Sequence, residues 1–192
     1  MTSKALARWQ AGRSVELDRI AEAHTALGGT GVGRRYTTQQ VNQAYVTLLS
    51  SHFQGFCRDL HSEAVAAMVA PIRPPGLRSV VQRDLTRDRK LDKGNPNPGN
   101  LGNDFGRLGV ELWPRVRRAS KHTASRQQKL EDLNVWRNAI AHQDFTDPRL
   151  GGETALRLER LRSWRSACRG LARDFDRVLA DHIEDLAGTR PW

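Results

Sequence analysis

Residues 161–182 read LRSWRSACRGLARDFDRVLADH. Within them Leu161, Trp164, Cys168, Leu171, Phe175, Val178 and His182 follow one another at spacings of 3, 4, 3, 4, 3 and 4. A side chain returns to the same helical face every three or four residues, so this is the seam of a bundle or coiled coil. The pattern predicts a long helix over 153–186. Its seam has two readings from sequence, an internal core or the surface of a dimer.

Moving outward from this seam, the dominant period stays helical and no stretch alternates as a strand does. Near the start, Leu6, Trp9, Leu17, Ile20, His24 and Leu27 share a stripe, with Gly12 as a point of bending and Gly28, Gly29, Gly31 and Gly33 as a flexible turn. A second helix is expected from Thr37 or Thr38, where Thr37 and Gln40 have capping-box spacing, to the stop at Pro71. A third is expected over 77–91 with Val80, Val81 and Leu85 inward. Residues 92–103, DKGNPNPGNLGN, carry the Asn/Gly/Pro chemistry of turns. A helix over 104–112 disturbed by Pro114, and another over 123–143 with Leu130, Leu133, Trp136 and Ile140 in the core, complete the set. The fold class is all-α, an antiparallel helical bundle of five or six helices, with 1–192 as a single domain.

Composition narrows the partners. The chain has 192 residues, with 31 Lys and Arg against 21 Asp and Glu, a net charge of +10. Its mean hydropathy is −0.63. Such a charge favours polyanions, nucleic acid above all, although the excess of Arg over Lys also follows from a GC-rich genome. No run approaches the ~20 apolar residues that cross a bilayer, and residues 1–18 lack an apolar signal core. Two distant cysteines, Cys57 and Cys168, make neither a disulfide framework nor a zinc pattern. The expected compartment is the cytoplasm, with no membrane partner.

Most motifs of chemistry are missing. The run GGTGVG follows a helix and lacks the GK[ST] ending of a P-loop, so it reads as a linker. Asp84 and Asp88 sit among Arg83, Arg87 and Arg89 and read as a solvated, salt-bridged face. No histidine has metal-ligand spacing, and no metal or cofactor is expected. His52, His61 and His182 read as bundle residues, Trp113 and Trp136 as core. One segment differs: Arg137, Asn138 and His142 in LNVWRNAIAHQ, residues 133–143. Asn138 and His142 share a helical face, and the long side chain of Arg137 can curl back to it. Arginine holds phosphate through two hydrogen bonds, and histidine exchanges protons near neutral pH. Spacing alone favours the plainer reading, a surface Arg and a C-terminal His suited to the helix dipole.

Arg137-Asn138-Ala139-Ile140-Ala141-His142 resembles the R-N-x-x-x-H form of the motif of HEPN-domain ribonucleases. Residues 44–56, AYVTLLSSHFQGF, look like the early core helix of that family, and the similarity covers 37–186. Some members carry an acid in that helix where this chain has Gln54. The resemblance implies a homodimeric, metal-independent endoribonuclease of the toxin or phage-defence kind. Arg137, Asn138 and His142 would be catalytic, and an antitoxin such as a nucleotidyltransferase is a possible partner. Arg115, Arg117, Arg118, Lys121 and Arg126 would bind the RNA backbone, because the stretch 107–129 holds seven cations and one acid. The alternative is a non-catalytic HEPN-like module that binds RNA, a nucleotide or a partner protein.

Overall fold

The seam of 161–182 lies inside the molecule. In the computed structural model, which describes residues 1–27 and 35–192 (backbone alone at 27 and 35–37), every residue of that seam is buried. The choice between core and dimer surface is thereby settled as core. The run GGTGVG and the side chain of Thr37 lie outside the described residues.

The helices are α1 (Lys4–Arg8), α2 (Ser14–Leu27), α3 (Arg35–Val69), α4 (Pro75–Thr86), α5 (Lys90–Lys93), α6 (Pro98–Gly106), α7 (Leu112–Ala119), α8 (Thr123–His142) and α9 (Leu158–Ala187). Among the described residues there is no strand. Helices α3, α8 and α9 pack on one another and form the centre. Side-chain pairs give their directions. Arg126 meets Asp174 while Trp136 meets Trp164, so α8 runs antiparallel to α9. Lys4 meets Glu63, Arg13 meets Asp59 and Glu16 meets His52, so α1 and α2 run antiparallel to α3. Asn42 meets Leu156 and Phe53 meets Phe175, so α3 and α9 lie side by side in the same direction. Gly12 lies in a π-helical segment, Trp9–Arg13, that joins α1 to α2. The buried cluster runs from Ala5 to Ile183 and includes Trp9, Phe53, Phe56, Phe105 and Phe175.

Four expectations need correction, each for a local reason. The helix expected over 77–91 ends at Thr86, because Asp88 takes a left-handed φ of 54° and turns the chain. Val80 is then 51% exposed, while Val81 and Leu85 only flank the core, since α4 packs on α3 alone. The stretch 92–103 is not all turn. Asn97 accepts from Asn100 N at 2.9 Å and Pro98 opens α6, the ordinary chemistry of a helix start. Pro114 does not disturb a helix; it sits in the first turn of α7, where no N–H is needed. The last helix begins at Leu158, because Gln39 and Asn42 hold residues 154–156 extended: Gln39 Nε2 donates to Thr154 O at 3.1 Å, and Asn42 Nδ2 to Leu156 O at 2.8 Å.

Candidate functional site

Helix α8 carries its apolar residues inward, with Leu130, Leu133, Trp136 and Ile140 all buried. Its last turn therefore presents the polar residues of the motif to the surface. The helix stops after His142 because Gln143 adopts a left-handed φ of 52°. Gln143 N then reaches Ile140 O and Asp144 N reaches Ala139 O, which satisfies the final carbonyls. His142 is the last helical residue, exposed, and its ring has no hydrogen-bond partner among the described residues. Asp144, close by, has its carboxyl held below the usual range chiefly by hydrogen bonds from Thr146.

The motif residues do converge. Arg137 Nη1 donates to Asn138 Oδ1 at 3.3 Å, so the guanidinium has curled onto the face that Asn138 shares with His142. Asn138 is itself held from a second side, by a hydrogen bond from Asn95 Nδ2. Asn95 belongs to the stretch that sequence reading treats as a plain loop, and that stretch is firmly built. Gln54 Nε2 donates to Leu91 O at 2.6 Å and to Gly94 O at 2.9 Å. Asn100 Nδ2 donates to Asn95 O at 2.8 Å, and Asn134 Nδ2 to Pro96 O at 3.3 Å. Gln54 thus supports the loop that supports Asn138. A carboxylate at this position would have no proton for either carbonyl. Asn95, Asn100 and Asn134 are the residues that sequence reading missed. The density of Asn at 95, 97 and 100 is the visible signal for the first two, and it suits a turn equally well, whereas Asn134 lies on α8 outside that run.

The basic stretch is placed differently from its position in the sequence. Arg115, Arg117, Arg118 and Lys121 lie on α7 and the turn before α8, at the far end of that helix from His142. Nineteen residues at 1.5 Å each separate Thr123 from His142, about 28 Å. Arg118 and Lys121 are exposed and have no partner among the described residues. Arg117 meets Gln127 at 3.4 Å, and Arg115 meets Asp185 at 3.3 Å. Arg126 is committed to the fold. Its guanidinium bonds Asp174 at 2.6 Å and Ser120 at 3.2 Å, and it lies over Gly170, where a Cβ would sit 2.3 Å from Nε.

The other histidines are engaged elsewhere. His61 Nε2 donates to Asp104 O at 3.1 Å while its Nδ1 faces Arg89 at 3.5 Å. Burial first, and then the Arg89 cation, push its pKa down to about 4. His182 Nε2 donates to Leu108 O at 2.9 Å, and His52 pairs with Glu16 at 3.2 Å. His122 stands at the far end of α8. Cys57 and Cys168 are free and buried, and burial pushes both thiols up, away from reactivity. Asp84 and Asp88 are solvated and bridged to Arg87 and Lys93. Among the described residues no cluster of three metal-ligating side chains occurs. Within the same described residues, no helix is long and apolar enough to cross a membrane.

With this geometry in view, the comparison with known families is direct. The family model described as RiboL-PSP-HEPN matches residues 77–181, more than half of the chain and all of Arg137–His142. The chain belongs to this HEPN-domain family. No curated protein and no solved structure matches it.

Proposed function

We propose that the protein is an endoribonuclease that cleaves RNA with its own side chains, without a metal. RNA supplies the nucleophile, its 2′-OH. One imidazole takes the 2′-OH proton, and O2′ bonds to the adjacent phosphorus. The P–O5′ bond breaks, and a second imidazolium gives O5′ a proton. The products are a 2′,3′-cyclic phosphate and a 5′-hydroxyl. Arg137 neutralises the charge that builds on the pentacovalent phosphorus, and Asn138 orients His142 or binds a phosphate oxygen.

The observation that carries this reading is the cluster at the end of α8: a guanidinium drawn onto the face of Asn138, an amide held from two sides, and an exposed, unbonded imidazole. Of the other histidines, His52, His61 and His182 are engaged elsewhere and His122 is a helix length away, which leaves His24, in the last turn of α2, as the other histidine of the same chain. We take the second imidazole from a second copy, so that the working unit is a homodimer with both His142 residues at one cleft; His24→Ala, which should leave cleavage unchanged, separates this from a second imidazole within the same chain. We read the full chain 1–192 as one functional domain, since Ser3 N donates to Asp176 at 3.1 Å and α3 packs on both α8 and α9. In the cytoplasm such an activity suits a toxin or antiviral effector, restrained by a partner such as a nucleotidyltransferase.

One observation favours the alternative, a non-catalytic binding module: the free cations Arg118 and Lys121 precede α8, and that helix, about 28 Å from Thr123 to His142, separates them from the motif. The two readings part in one experiment. Purified protein is incubated with RNA in EDTA and the new ends are analysed. Cyclic phosphate ends support the enzyme; intact RNA that stays bound supports the module.

A further inference from the structure

On the opposite side of α8 from Asn138, a cleft of about 890 Å³ opens between α8, the start of α9 and the connection 149–157. Its aromatic wall is Trp136 and Trp164, with ring centroids 6.5 Å apart. Over Trp136 lies the guanidinium of Arg160, 5.7 Å from the ring centroid. Glu153 bonds the edge of that guanidinium, whose side chain remains 39% exposed. Three further cations line the cleft; Arg149 is paired with Asp147, whereas Arg157 and Lys129 have no ion-pair partner among the described residues. The opposite rim is fixed, because Gln39 and Asn42 tether residues 154–156 to α3.

These parts have a common ligand chemistry. An arginine lying on an indole and pinned at its edge is a planar cation already ordered, and nucleobases stack on guanidinium planes. A phosphate attached to such a base would fall to the unpaired cations Arg157 and Lys129. The remaining carboxylates of the cleft, Asp132 and Glu159, repel phosphate and can accept from the N–H groups of a base or the hydroxyls of a ribose. We propose that this cleft is a nucleotide-binding site, with the base on the Arg160–Trp136 stack and the phosphate on Arg157 and Lys129. The nucleotide is either free or one unit of an RNA chain. The site is distinct from the proposed catalytic cluster, although Trp136 is next to Arg137 in α8 and a bound base presses on the helix that carries both.

The test uses the full-length protein with ¹⁵N-labelled indoles. Five tryptophans give five indole signals, and Trp136→Phe and Trp164→Phe assign the two of interest. Adding 5′-AMP is expected to move those two signals saturably. The double variant Arg157→Gln/Lys129→Gln, at one exposed and one half-buried position, should weaken the response by about tenfold or more, as expected for losing a charge-assisted phosphate contact. Adenosine, lacking phosphate, should respond as weakly as the double variant does with 5′-AMP. A short RNA added to His142→Ala separates the sources. If the RNA moves the two signals at far lower concentration than 5′-AMP, the site holds a unit of the chain. If 5′-AMP alone moves them, the ligand is a free nucleotide. Failure of both at millimolar concentration overturns the proposal, as does an equal response to inorganic phosphate. Cleavage is measured separately, so an inactive protein that still binds 5′-AMP would sink the ribonuclease reading and leave this one standing.

Discussion

At the scale of single residues, the account turns on which side chains act and which only hold them. Gln54 donates through its amide to two carbonyls of the loop that reaches Asn138. Gln54→Glu removes both donations and places a charge before two carbonyl oxygens. The expected result is a loss of about 2 kcal/mol in denaturant unfolding, together with slower cleavage. Faster cleavage in this variant would instead mean that a catalytic acid belongs at position 54. Arg137→Lys keeps a charge but loses the planar fork, and should fall nearly as far as Arg137→Ala, about 3–4 kcal/mol in kcat/KM by analogy with losing one oxyanion donor. Arg137, Asn138 and His142 were legible in the sequence because the motif lies within one helix turn and a half. Asn95 was not, because its partner is 43 positions away and no local pattern encodes a contact of that range.

At the scale of elements, periodicity located the long helices and misjudged the short ones. Helices α3, α8 and α9 each bury a continuous stripe, so their period survives in the sequence. Helix α4 packs its length only on α3, with the side chain of Arg107 reaching Asp84 O, and its apolar residues Leu77 and Val80 are left exposed, so its apolar spacing misstates what it buries. Asn-Pro at 97–98 and Pro at 114 were read as breakers, though at a helix start each is a favourable residue. The same scale separates two kinds of arginine. Removing Arg117, Arg118 and Lys121 by substitution with Gln should lower the salt dependence of RNA binding by about two units of slope, at ~0.7 per phosphate contact with single strands, and leave stability unchanged. Arg126→Gln should do the reverse. Loss of the Asp174 pair costs about 2 kcal/mol of stability, moderated by Arg177, which also reaches Asp174 at 3.3 Å, while the salt slope stays constant. A salt slope that falls with Arg126→Gln and not with the triple variant would reverse this assignment.

For the whole molecule, folding and activity respond to different histidines. His61 is wholly buried and neutral, with a pKa pushed down to about 4 from the ordinary 6.5. The unfolded chain therefore binds a proton in the window between those values that the native state refuses. Stability is full above about pH 6.5 and is lost as pH falls towards 4, by about 3 kcal/mol, with His52 acting in the same direction. His61→Gln, which can still donate to Asp104 O, should flatten that slope in urea titrations run across the window. The sequence made the bundle, its last seam and the motif helix legible, whereas the length of α8 between motif and basic stretch emerged only when that helix was laid out end to end. Sedimentation should report a dimer at working concentration, and a fully active monomer would contradict the need for two imidazoles. The most direct test is cleavage of a defined RNA in chelator by the wild type and by His142→Ala, with dimer mass, circular dichroism and RNA affinity matched. The account predicts cyclic phosphate ends from the wild type and a rate lower by about 10²–10⁴ in the variant; equal rates in the two would contradict it.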